Sequence, residues 1–104
     1  MRMTRWRRVA DLRALPDGAP YPVTLDDTRL ALYRIGDAVH AVGDVCTHEY
    51  VRLSDGAFAG CVIECPLHHA RFDVVTGRCL ARPATTDLAT YAVRVDGEGV
   101  WVRL

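Results

Sequence analysis

Lysine, asparagine and glutamine are absent from this 104-residue chain, so its 13 Lys-or-Arg positions are all arginine. Without asparagine there is no acceptor for N-glycosylation, and arginine used throughout in place of lysine fits the codon bias of a GC-rich bacterial genome. Long apolar runs are missing too. The longest, Ala57 to Ile63, is seven residues and contains a glycine, against the roughly 18 needed to cross a bilayer. The N-terminal "MRMTRWRRVADLRAL" has the charge of a secretory leader but no apolar stretch behind it, so a soluble, cytoplasmic protein with no membrane partner is expected. Beyond that terminus there is no basic stripe. Residues 11–104 carry nine Arg against thirteen Asp plus Glu, a net of minus four, which is the wrong sign for neutralising phosphates. Nucleic acid is therefore not an expected partner, and the leading arginines read as a solvated end.

Helix-period patterns are scarce, whereas short apolar stretches between turn signals recur, which predicts an all-β chain. A single domain over residues 1–104 is expected, since half the residues are hydrophobic and suffice for a core. Strands are predicted near Trp6 to Ala10 and Pro22 to Leu25. Next come "RLALYRI" and "AVHAV" around Gly36-Asp37, a Gly-X loop suited to a type II′ hairpin. A second hairpin, "TYAVRV" and "VWVRL" around "DGEG", closes the chain, with Tyr91, Val93 and Val95 sharing a face. Further turns are signalled at "SDG" and "VTGR".

Between the hairpins, from about Gly43 to Pro83, lies the chemically distinctive segment: residues 44–73 hold three of the four cysteines and three of the four histidines. Reduced cysteines in the cytosol favour metal binding or burial over a disulfide framework. The segment resolves into Cys46-Thr47-His48 and, sixteen residues on, Cys65-Pro66-Leu67-His68, each part offering one thiolate and one imidazole. Zinc takes Cys₂His₂ sets, although its usual knuckles pair like with like. A two-iron cluster suits the mixture better, with thiolates on one iron and imidazoles on the other. Two ferric ions, two sulfides and two thiolates sum to zero charge, so neutral imidazoles ease reduction relative to four thiolates.

"CTH" followed by "CPLH", within "VCTHEYVRLSDG" and "ECPLHHARFDVVTGR", resembles the Rieske [2Fe-2S] motif. With its flanking hairpins nearly the whole chain is similar to the small Rieske ferredoxins of bacterial ring-hydroxylating dioxygenase systems. The resemblance implies an antiparallel β-sandwich base with a smaller cluster-binding subdomain of two loops, at about residues 43–83. It implies one [2Fe-2S] cluster, with Cys46 and Cys65 on the inner iron and His48 and His68 on the outer iron near the surface. A monomeric one-electron carrier follows, not an enzyme, working between a flavin-dependent NAD(P)H ferredoxin reductase and a Rieske non-haem iron oxygenase. A small Rieske subunit of another reductase complex and a zinc-stabilised binding module are the alternatives.

Departures from the high-potential respiratory Rieske proteins are informative. Those proteins have an extra cysteine in each loop, where this chain has Val51 and Leu67. They also have a serine and a tyrosine donating to the sulfurs, where it has Ala70 and Phe72. A potential at the low end of the family range is therefore expected. Among the remaining residues, His69 reads as a rim residue and His40 as a packed or surface imidazole. Cys61 and Cys79, in strand-like contexts, read as small buried hydrophobes; Trp6, Trp101 and Tyr91 as core or edge aromatics; Glu49, Tyr50 and Arg71 as a rim around the loop tips.

Overall fold

Gly36 takes φ +62° while Asp37 keeps an ordinary negative φ, the sign pattern of the type II′ turn predicted for this hairpin. The computed structural model describes residues 5–47, 51–67, 69–81 and 86–104. Among them are ten strands and no α-helix: β1 Trp6–Asp11, β2 Tyr21–Leu25, β3 Thr28–Ile35, β4 Ala38–Gly43, β5 Ala57–Ala59, β6 Val62–Glu64, β7 Arg71–Asp73, β8 Cys79–Ala81, β9 Thr90–Asp96 and β10 Gly99–Arg103. The all-β expectation holds, and every pairing between these strands is antiparallel.

Six strands form one sheet in the order β1-β10-β9-β4-β3-β2. Its halves meet only through the pairs Ala41–Tyr91 and Val42–Thr90, a seam short enough for the sheet to fold back on itself. Leu30, Leu32, Val39 and Ala41 from one half and Val100 and Val102 from the other are buried together with Leu15. This is the core of the antiparallel sandwich. Tyr91 and Val93 pack against it, but Val95, predicted on the same face, is 38% exposed although its strand partner Val100 is buried. Trp101 alternates with buried Val100 and Val102 along β10 and so faces outward. Trp6 lies on edge strand β1, its ring under the guanidinium groups of Arg94 at 4.7 Å and Arg103 at 5.6 Å.

A second core grows from the other face of β3 and β4. Side chains alternate along a strand, so Ala31, Tyr33 and Val42 point away from the sandwich. They pack against a four-stranded sheet, β5-β6-β7-β8, through Leu53, Ile63, Phe72, Val74 and Leu88. Both cysteines of the predicted ligand set are in this cluster. Strand β3 is thus buried on both faces from Leu30 to Tyr33, which is why its sequence is a nearly unbroken apolar run.

Gly56 lets the turn before β5 lie directly against β6. Its amide donates to the Leu53 carbonyl at 2.8 Å, and a Cβ there would lie 1.9 Å from the Glu64 carbonyl oxygen. Because that obstacle is backbone, it has no rotamer by which to give way. Gly56→Ala should lower stability by about 3 kcal/mol, the upper end of the usual cost of overpacking, visible as a lower unfolding midpoint. An unchanged midpoint would contradict this close approach.

Candidate metal centre

Two loop tips project from the second core, and one local bond closes both. The Cys46 amide donates to the Val51 carbonyl at 3.0 Å, and the Cys65 amide to the Ala70 carbonyl at 2.7 Å. Each tip is therefore six residues long with cysteine first, Cys46 to Val51 and Cys65 to Ala70. Behind the first tip the chain pairs as a hairpin, through Val45 opposite Arg52 and the Leu53 amide to the Asp44 carbonyl at 2.9 Å. Behind the second, Glu64 pairs with Arg71 and Ile63 with Phe72. In the second tip His69 adopts φ +63°, a left-handed conformation that costs a residue with a Cβ about 1–2 kcal/mol and helps reverse the chain in so few residues.

Cys46 is 3% exposed and Cys65 fully buried, with Ala70 and Phe72 also fully buried in the same cluster. None of the four cysteines, all among the described residues, is in a disulfide. Two thiols heading matched loops and sharing an apolar cluster suit thiolate ligation of one face of an iron–sulfur group. Among the described residues no group of three or more His, Cys, Asp or Glu gathers to hold a metal ion. The other two predicted ligands, His48 and His68, lie outside the described residues, as do Glu49 and Tyr50 of the expected rim and Pro83 at the expected subdomain boundary.

Three polar ties hold the tips, none of them identified from the sequence. Asp44, 2% exposed, accepts from the Ser54 amide at 2.8 Å and the Ser54 hydroxyl at 2.6 Å, bracing the two legs of the first loop. Burial pushes its carboxyl above the usual carboxylate range, while the Ser54 bonds and the charge of Arg52 pull the other way. The Thr47 hydroxyl donates to the Thr86 carbonyl at 2.7 Å, tying the first tip to the segment leading into β9. Around the second tip, Arg71 Nε donates to Glu64 Oε1 at 3.0 Å, and His69 Nδ1 lies 3.2 Å from Glu64 Oε2. The expected rim position of His69 and Arg71 thus acquires a central carboxylate.

Cys61 departs from expectation. It sits in the Gly60-Cys61 turn between β5 and β6, not in a strand, because Gly60 at φ +63° reverses the chain there. It is half-buried against the second core, as is Cys79 on β8. His40 is half-buried opposite Tyr33.

The Rieske [2Fe-2S] domain model matches residues 5–92. Among curated relatives, the ferredoxin component of the naphthalene 1,2-dioxygenase system of Pseudomonas aeruginosa is 41% identical over 100 residues, 96% of each chain. Among solved structures, the ferredoxin of carbazole 1,9a-dioxygenase from Nocardioides aromaticivorans IC177 superposes with a TM-score of 0.89 at 38% identity, over 93% of this chain and 95% of that one. A chain from the complex of reduced oxygenase and oxidized ferredoxin in carbazole 1,9a-dioxygenase gives a TM-score of 0.88 at 37% identity, over 93% and 91%.

The Glu64 pairings have a pH consequence. Arg71, and then His69, hold the Glu64 carboxyl below the usual glutamate range. A carboxylate whose pKa is lower folded than unfolded stabilises the fold above its unfolded pKa, and that contribution disappears as pH falls through the folded value. The gap in unfolding midpoint between the wild-type protein and Glu64→Gln should therefore be present at neutral pH, close on acidification, and shrink in high salt. A gap that widened in acid would contradict the pairing.

Proposed function

Because the chain belongs to the Rieske [2Fe-2S] family, we propose that it is the one-electron carrier of a bacterial ring-hydroxylating dioxygenase system. It takes electrons from a flavin-dependent NAD(P)H ferredoxin reductase and passes them to a Rieske non-haem iron aromatic-ring oxygenase. It is the electron-transfer component and not the oxygenase. The observation that carries this reading is the pair of six-residue tips headed by buried Cys46 and Cys65. The likeness to ferredoxin components along nearly the whole chain supports it. In this reading a single domain, residues 1–104, acts as a cytoplasmic monomer, with a cluster-binding part at about residues 43–83. No helix among the described residues is long and apolar enough to cross a membrane.

Cys46 and Cys65 are assigned to the inner iron, and His48 and His68 to the outer one. When bound, the cluster supplies a single reversible one-electron step. The chain's own contribution is to hold the thiolates dry, to add imidazoles that bring no negative charge, and to withhold hydrogen bonds from the sulfurs. Ala70 and Phe72, fully buried beside the cysteines, put methyl and ring hydrogens where the high-potential proteins put hydroxyls. A reduction potential of about −150 mV, rather than about +300 mV, is expected.

The reduced protein should give an EPR spectrum whose average g value lies below that of an all-cysteine cluster, with iron and sulfide in equal amounts. It should also restore NADH-driven turnover when mixed with a ferredoxin reductase and a ring-hydroxylating oxygenase. A colourless, zinc-loaded protein would refute the reading. Ala70→Ser should raise the potential. A hydrogen bond strengthened on reduction by about 1 kcal/mol, the order of the difference between a neutral bond and one to a charged group, corresponds to about 40 mV for one electron. A fall in potential would count against the missing-donor argument.

A further inference from the structure

Each tip has a carboxylate just before its cysteine, and the two are treated differently. Glu64, one residue before Cys65, is partly exposed and neutralised by the Arg71 guanidinium. Asp44, two residues before Cys46, is the one buried charged side chain among the described residues. Its hydrogen-bond partners there are the neutral amide and hydroxyl of Ser54. The nearby cation, Arg52, spends its guanidinium on Asp55, with Nη2 to Oδ1 at 3.2 Å and Nε to Oδ2 at 3.4 Å. Asp44 and Cys46 are both buried with half-buried Val45 between them, so both side chains point inward. Their Cα atoms are roughly 7 Å apart, two residues' rise of extended chain. At 2% exposure a charge near that range is screened less than one in bulk water.

We propose that Asp44 is a potential-setting residue: its buried carboxylate, braced by Ser54, opposes the arrival of an electron at the metal centre headed by Cys46 and so holds the reduction potential down. The inference rests on the ligand set proposed above and deepens it. Missing hydroxyl donors at Ala70 and Phe72 withhold stabilisation of the reduced state, whereas Asp44 adds repulsion against it.

Two substitutions with opposite signs test this. In Asp44→Asn the amide oxygen still accepts from the Ser54 amide and the amide nitrogen still donates to the Ser54 hydroxyl, so the brace survives while the charge goes. The midpoint potential should shift positive. Ser54→Ala removes the hydroxyl that damps the charge, so, at a pH high enough to keep the Asp44 carboxyl ionised, the potential should shift negative. Both shifts should persist in high salt, as a buried charge requires. Damage to loop geometry would move both variants the same way, and that result would overturn the proposal. An Asp44→Asn protein with wild-type iron content, wild-type EPR and an unmoved potential would overturn it as well. Should Asp44→Asn fail to fold, Ser54→Ala decides alone: a negative shift supports the charge, and no shift or a positive one refutes it. The wild-type EPR spectrum separates the two levels of argument. A spectrum without mixed nitrogen and sulfur ligation defeats the ligand reading itself, and the inference with it. A spectrum with it leaves the potentials to judge Asp44.

Discussion

A single backbone bond, donated by Cys46 in one loop and by Cys65 in the other to the carbonyl five residues on, sets the size of both loop tips. Everything asked of the site depends on that repeated closure. It starts each tip with a thiol at the edge of the apolar cluster, and it leaves four residues between the closing pair. The two tips differ inside. The first has its histidine third and the second its histidine fourth, and the second holds His69 in a left-handed conformation. Equal closures around unequal contents are the physical basis of the unequal spacings C-x-H and C-x-x-H.

The closures are in turn only as firm as the strand beneath them. From Leu30 to Tyr33, β3 gives alternate side chains to the sandwich core and to the core that holds the cysteines, so the tips are anchored to the interior of the whole protein. A fully buried leucine or valine is worth about 1.5–3 kcal/mol, and both cores draw on this one stretch. The polar ties then refine the position: Asp44 to Ser54 across the first loop, Thr47 to Thr86 beyond it, Glu64 to Arg71 beside the second. Tyr33 shows the tension in such a dry site. Burial, and then the charge of Asp44, push its phenol well above the usual range, and its hydroxyl is buried without a hydrogen-bond partner among the described residues.

Strand positions and the central hairpins were readable because they rest on local rules: alternation, a glycine at a positive φ, and apolar runs of strand length. Spacing singled out Cys46 and Cys65, and the fold brings both into one buried cluster. What could not be read depends on long-range pairing. Asp44 looks like any acidic loop residue until Ser54 is seen across the hairpin, and Glu64 gains meaning only when β6 and β7 place it opposite Arg71. Cys61 looked like part of a strand because its neighbours Val62 and Ile63 are, yet Gly60 turns the chain just before it. Trp101 could be read as core or edge, and parity along β10 decides for the outer face.

The Thr47–Thr86 hydroxyl bond joins residues 39 apart, and the β4–β9 seam, Ala41 to Tyr91 and Val42 to Thr90, has a similar reach. A ribosome makes the loop headed by Cys46 well before the segment that pins it. During synthesis, that loop waits for about the last fifth of the polypeptide. The pinned geometry of the first loop is therefore completed only after the segment that holds it has been made.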